Sequence, residues 1–137
     1  MLGSFHRKTG KDIEYFGQIY SLLWRLAVQI IKMSSSNSYP IGIIDDHPAA
    51  IFGLSAFFES IDDLKVKWAV SSIDQLKVAL IQDSVEVLVA DFKIGDDRIL
   101  EVISDDLKAK VVIYSGFYFE KNVREAFAVG IMAWIRK

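Results

Sequence analysis

The stretch Val85-Glu86-Val87-Leu88-Val89-Ala90-Asp91 decides how the rest of this sequence is read. Six residues dominated by β-branched and aliphatic side chains run straight into a carboxylate, followed by Phe92-Lys93-Ile94-Gly95-Asp96-Asp97. A run that short and apolar, bounded by Asp and Gly, reads as a central strand buried on both faces. Its terminal carboxylate falls where open α/β sheets place their ligands, at the carboxyl ends of the strands. The same grammar recurs on either side. Ile41-Gly42-Ile43-Ile44 ends in Asp45-Asp46, Val111-Val112-Ile113-Tyr114 ends in Ser115-Gly116, and Met132-Ala133-Trp134-Ile135 ends in Arg136-Lys137. Parallel strands bring all four ends to one edge of a sheet, gathering acids, a hydroxyl and an ammonium.

Working outward, strands are expected at residues 41–44, 65–70, 85–90, 111–114 and 132–135. Helical patterns fill the gaps. The first runs through Ile51, Leu54, Phe57, Phe58 and Ile61, with Asp46 or His47 as a possible cap and Pro48 in the favoured first turn. The second covers residues 72–82, with Ile73, Leu76, Ala79 and Leu80 inward. A short third spans 98–104, and a fourth spans 120–129, where Gly130 stops it. Strands alternating with helices at this spacing predict a parallel sheet with helices on both faces.

The remainder, residues 1–40, is of a different kind. Residues 1–33 carry five Lys/Arg against two acids, whereas residues 34–137 carry eleven against sixteen. Residues 12–32 predict a helix whose polar residues form one narrow stripe, and 33–40 read as a Ser-rich linker closed by Pro40. The division is therefore 1–40 (tail, helix and linker) and 41–137 (α/β domain). Met33 could also serve as a translation start, which would make residues 1–32 an upstream extension. The basic leader is followed by an apolar stretch broken by Glu14, Gln18 and Arg25, unsuited to a secretory signal or a membrane span. With 52% hydrophobic residues, no cysteine and a formal charge of −2, the chain is globular and needs no disulfides. A cytoplasmic setting without direct nucleic-acid contact is expected.

Four motifs in this order carry a resemblance: Ile43-Ile44-Asp45-Asp46-His47-Pro48, Val89-Ala90-Asp91, Ile113-Tyr114-Ser115-Gly116 and residues 126–137. Together they resemble the receiver domains of two-component response regulators, in the Asp-Asp-His-Pro branch that normally carries a C-terminal helix-turn-helix domain. The resemblance covers residues 41–137 and implies a flavodoxin-like, doubly wound parallel five-stranded sheet of order 2-1-3-4-5. The sheet is expected without the usual C-terminal fifth helix and with an extra N-terminal helix. By the same resemblance Asp91 is the phosphoacceptor. Asp45, Asp46, Asp91 and the backbone carbonyl of Lys93 hold Mg²⁺, Ser115 and Lys137 bind the phosphoryl group, and Trp134 stands at the switch aromatic. The implied partner is a sensor histidine kinase, with a regulator protein or self-association as the output. The chain itself is not expected to be an enzyme.

The residues make chemical sense without the family. Phosphoryl transfer asks for a nucleophile, a divalent cation and donors for the remaining oxygens. Taken singly, each residue has a plainer role. A strand-end Asp caps helices, Ser115 suits a turn, Lys137 a solvated surface and Trp134 a core, and His47 reads as a capping or packing residue rather than a ligand. Four strand ends together outweigh those readings. Three departures stand out: the loop after Asp91 lacks the family's Pro, Lys93 places a cation that could pair with Asp91, and Phe117-Tyr118-Phe119 forms an apolar loop suited to a covering contact or a partner patch. The alternative function is a receiver-shaped interaction domain or regulator fragment that does not switch. A Mg²⁺-dependent phosphohydrolase is more distant, since it needs an acid where Lys93 stands. A final expectation is that residues 12–32 fill the slot left by the missing fifth helix.

Overall fold

The computed structural model describes residues 21, 22, 24–26, 38–103, 105 and 107–137. The chain divides into two compact units, residues 1–36 and 37–137. In the first unit the described residues, Ser21, Leu22, Trp24, Arg25 and Leu26, are helical. The rest of the helix expected over 12–32, and its expected seat in the fold, lie outside the described residues.

The second unit runs β1 (Tyr39–Ile44), α1 (Pro48–Glu59), β2 (Leu64–Val70), α2 (Ile73–Gln82), β3 (Val87–Ala90), β4 (Lys93–Ile94), β5 (Asp97–Arg98), α3 (Ile99–Val102), β6 (Lys110–Ser115), α4 (Glu120–Ala128) and β7 (Ala133–Arg136). Five strands form one sheet in the order β2-β1-β3-β6-β7, and every pairing in it is parallel. Counting only sheet strands, this is the expected 2-1-3-4-5. The chain leaves β1 toward one side and returns through β2 to pair β3 on the other. A right-handed crossover on each side therefore places α1 and α2 on opposite faces.

One face carries the larger core. Ile44, Leu88, Ala90, Val111 and Ile113 from the strands meet Leu76 of α2, Ile99 of α3 and Ala126 of α4. Each fully buried aliphatic chain of this kind stabilises the fold by about 1.5–3 kcal/mol. α1 packs on β1 and β2 and buries Leu54 and Phe58. Central β3 is buried along its whole length, whereas β2 alternates, with Lys65 and Lys67 exposed. That alternation is what an edge strand with one covered face requires.

Boundaries differ from expectation in instructive ways. β1 starts at Tyr39, not Ile41, because the Tyr39 N–H donates to the Asp63 carbonyl and its ring is buried. The helix expected over 98–104 is confined to four residues, since the preceding segment folds into the unforeseen β4–β5 hairpin around Gly95, at φ +60°. Phe57, expected inward, is 42% exposed. It precedes Phe58 by one residue, about 100° around the helix, so both rings cannot face the sheet. Ile61 lies beyond the end of α1. Among the described residues no helix is long and apolar enough to cross a membrane.

Candidate functional site

Strand register assembles the site. Ile44 of β1 pairs Ala90 of β3, Ala90 pairs Ile113 of β6, and Ser115 pairs Arg136 of β7. The next residues along the chain, Asp45, Asp91 and Lys137, therefore emerge side by side with Ser115 at the carboxyl edge. Two bonds continue the ladder past the strand ends: Asp91 N–H donates to the Ile44 carbonyl, and Lys137 N–H to the Ser115 carbonyl. The position lies beside the β1/β3 switch point, where crossovers diverge and leave a crevice.

The side chains form one bonded cluster. Asp45 is 1% exposed, Asp91 6% and Ser115 1%, and they are the buried polar residues of the described chain. Lys137 Nζ donates to Asp45 Oδ2 at 2.6 Å and to Asp91 Oδ2 at 2.9 Å. Ser115 Oγ donates to Asp91 Oδ1 at 2.5 Å, and the Phe92 N–H donates to the same oxygen at 2.7 Å. Charge-assisted bonds of this kind are what make buried carboxylates tolerable. Burial pushes the Lys137 ammonium toward deprotonation, but its bonds to Asp45 and Asp91 outweigh that, and its pKa is raised above 10.5.

Asp46 serves a different neighbour. Its Oδ2 accepts the Gly95 N–H at 2.9 Å and so ties the β4–β5 turn to the start of α1. Neither Asp46 nor His47 caps α1 through its side chain. The His47 N–H instead donates to Asp45 Oδ1 at 2.8 Å. The His47 ring is the unexpected member of the cluster. Its Nδ1 lies 2.9 Å from Asp45 Oδ1, 3.0 Å from Asp46 Oδ1 and 3.7 Å from Asp91 Oδ2. Ionised carboxylates only accept, so the contact to Asp45 is a hydrogen bond in the tautomer that carries its proton on Nδ1. The sequence signal was available, because His47 directly follows the acid pair, but its reading as a capping or packing residue looked only along the helix.

An aromatic wall flanks the acids. Phe92 stacks on Phe117 (centroids 5.7 Å, 10° between planes) and packs against Trp134 at 4.9 Å. Phe119 and Tyr118 complete it edge-on, against Phe117 and Trp134 respectively. The Phe117 N–H donates to Ser115 Oγ, so the loop and the hydroxyl are coupled. The loop 117–119 thus makes a covering contact, yet its three rings remain 40–47% exposed. The indole Nε1 of Trp134 is buried without a hydrogen-bond partner. Lys93 lines the cleft with Asp46, Asp91 and Ser115, but it is exposed and forms no ion pair with Asp91 among the described residues. Lys137 occupies that place, since a strand end reaches the buried carboxylate directly.

The donor set suits a hard divalent cation. Asp45, Asp46, His47 and Asp91 each offer a ligand atom, all within 4.8 Å of one another. Opposite ligands around Mg²⁺ stand about 4.2 Å apart, twice its metal–oxygen distance.

No family model matches the sequence, and no curated protein matches it. Solved structures do. The isolated REC domain of RcsB from Salmonella enterica serovar Typhimurium, determined in the presence of phosphomimetic BeF3⁻, aligns with TM-score 0.66 and 18% identity over 74% of this chain and 78% of that one. The response regulator domain of Thermotoga maritima CheB gives 0.67 and 19% over 74% and 79%. The signal receiver domain of Mycobacterium tuberculosis NarL gives 0.68 and 15% over 74% and 85%. Against longer RcsB chains, one of them bound to promoter rprA, the chain spans only 53–60% of the neighbour's length. The described α/β unit has the fold of response-regulator receiver domains.

Proposed function

We propose that this chain is a phosphoacceptor receiver module of a two-component signalling system, with Asp91 as the residue modified. One observation supports this above others: an almost fully buried carboxylate receives both a hydroxyl (Ser115) and an ammonium (Lys137) at the carboxyl edge of a receiver-type sheet. Such an oxygen is a nucleophile in a site already furnished with donors for the oxygens of an incoming phosphoryl group.

In the proposed reaction Asp91 attacks the phosphorus of a phosphohistidine on a sensor kinase. A P–O bond forms, the P–N bond breaks, and the electron pair stays with the departing imidazole. Asp91 becomes an acyl phosphate. Ser115 then exchanges its bond to Asp91 Oδ1 for one to a phosphoryl oxygen, and Lys137 pairs with the new charge. Asp45, Asp46, Asp91 and the Lys93 carbonyl would hold Mg²⁺, which would supply charge neutralisation during transfer. The module is a substrate of the kinase rather than an enzyme, and it acts in the cytoplasm through protein contacts. Because the Phe117 N–H holds Ser115 Oγ, movement of the hydroxyl is passed to the aromatic wall and to Trp134, the proposed switch residue.

The test is intact mass after incubation with acetyl phosphate and Mg²⁺. One phosphoryl group is expected on the chain, none in Asp91→Asn, and none in EDTA. A second reading, a non-switching interaction domain, is favoured by the exposed Phe117, Tyr118 and Phe119. It becomes the better one if saturating donor leaves the mass unchanged.

A further inference from the structure

We infer that the Lys93 side chain is a positioning cation, which draws an anionic phosphodonor into the cleft and pairs with the phosphoryl group on Asp91. The inference rests on the phosphoacceptor reading. Lys93 lines the same cleft as Asp46, Asp91, Ser115 and Lys137. Its place there follows from the chain around it. Ile94 is buried in the core, and side chains alternate along a strand, so the Lys93 side chain falls on the cleft side of β4. The backbone on either side of it is fixed. Lys93 pairs with Arg98 across the β4–β5 ladder, the Ile99 N–H donates to the Phe92 carbonyl, and the Gly95 N–H donates to Asp46 Oδ2 at 2.9 Å.

Charge balance gives the residue its role. Lys137 is already shared between Asp45 and Asp91, whereas Lys93 forms no ion pair among the described residues. Lys137 and one divalent cation would match the carboxylates of Asp45, Asp46 and Asp91. In the transfer an Asp91 oxygen bonds to phosphorus as the bond from phosphorus to the donor breaks, and the electron pair leaves with the donor. Asp91 thereby loses its own charge and gains about two on the phosphoryl oxygens. About one negative charge is left over, and Lys93 cancels it. A lysine suits this work, since its compact charge sits on a flexible stem that follows the oxygens as they move. A unit charge about 4 Å from another in a water-like medium changes a rate or an equilibrium by about fivefold. The effect fades as salt shortens the screening length to about 3 Å at 1 M.

Two measurements on the full chain test this, using wild type, Lys93→Met, Lys93→Glu and Lys93→Arg, with far-UV circular dichroism as the folding control. The first is the second-order rate of phosphorylation by acetyl phosphate at saturating Mg²⁺, read by intact mass at low and high salt. At low salt Lys93→Met should be slower by about fivefold and Lys93→Glu slower still. Lys93→Arg, which keeps the charge, should stay near wild type, and the gaps should narrow at high salt. The second is Mg²⁺ affinity by tryptophan fluorescence. Here the sign reverses, because removing a cation favours another: Lys93→Met should bind Mg²⁺ no more weakly than wild type, and Lys93→Glu more tightly. A substitution that merely disturbed the hairpin would weaken both. The inference is overturned if Lys93→Met matches the wild-type rate at low salt, if Lys93→Arg fails to restore it, or if Mg²⁺ affinity falls in step with the rate. A wild type that takes the phosphoryl group while the Lys93 variants keep its rate sinks this inference alone. A wild type that takes none sinks the phosphoacceptor reading and this one with it.

Discussion

Lys137 shows how one side chain can be held charged against its own burial. Desolvation opposes the ammonium, but its bonds to Asp45 and Asp91 prevail, and the pKa rises. A lysine raised in the folded state adds stability that is fully present below the unfolded value, near 10.4, and fades as pH climbs through the higher folded value. In EDTA, urea unfolding of wild type and Lys137→Met should therefore differ by a constant amount from pH 7 to about 10, and the gap should close above that. A gap that widens with pH would contradict the assignment. Gly42 makes a different point at the same scale. A Cβ there would meet the Trp68 ring at 2.3 Å, and that indole is anchored by its Nε1 donating to the Asp83 carbonyl at 2.9 Å. Gly42→Ala should destabilise by about 1–3 kcal/mol, the usual range for overpacking. Adding Trp68→Leu should recover part of the loss, as a double-mutant cycle in urea would measure.

Among the elements, α4 is the one whose end is most completely written in local sequence. Gly130 lies at φ +94°, its N–H donates to the Phe127 carbonyl, and the Ile131 N–H reaches back to the Ala126 carbonyl. That pair of bonds is a Schellman motif, and its apolar contact is supplied by Ile131 and Ala126 in the core. Gly130→Ala keeps the bonds but forces a Cβ into the left-handed region, for about 1 kcal/mol or slightly more. Thermal unfolding should register it as a drop of several degrees, with the sheet unchanged. α2 opens by equally local means. Ser72 Oγ accepts the Gln75 N–H, and Gln75 Oε1 accepts the N–H of Ser71, a near relative of the capping box. α1 has no such cap, since the polar groups at its start are turned to the acid cluster instead. Its entry is set by Pro48 and by the site.

At the scale of the whole molecule the cluster sets stability against ligand binding. Asp46 is the carboxylate with the most solvent, 33% exposed, and its bond to the Gly95 N–H can be kept by an amide oxygen. In Asp46→Asn, metal-free stability should thus be unchanged or raised, because repulsion among three acids falls. Mg²⁺ should stabilise the wild type by about 2.7 kcal/mol at a hundred times its Kd, and the variant distinctly less at the same concentration. Paired urea titrations with and without Mg²⁺ read both effects. Equal gains in the two proteins would remove Asp46 from the site. Asp45 should behave differently, since its carboxylate is buried against Lys137, and removing one partner of a buried pair leaves the other uncompensated.

Much of this was legible in the sequence because the governing interactions are local or periodic. Apolar runs marked four of the five strands of the sheet, since a strand buried on both faces must be apolar throughout, while edge strand β2 alternates with Lys65 and Lys67. Asp45, Asp91, Ser115 and Lys137 stood out because each ends such a run, and parallel pairing alone brings those ends together. What the tertiary structure decided depends on partners distant in the chain. Tyr39 joins β1 through Asp63, Asp46 turns to Gly95 instead of capping a helix, and the β4–β5 hairpin is closed over residues that carry no strand pattern. His47 is a mixed case: its short contacts are to Asp45 and Asp46, just before it in the chain, and only the 3.7 Å approach to Asp91, forty-four positions later, depends on the β1–β3 register. Sequence patterns report which face of an element is dry, but which polar groups meet across the sheet edge is fixed only when the strands pair.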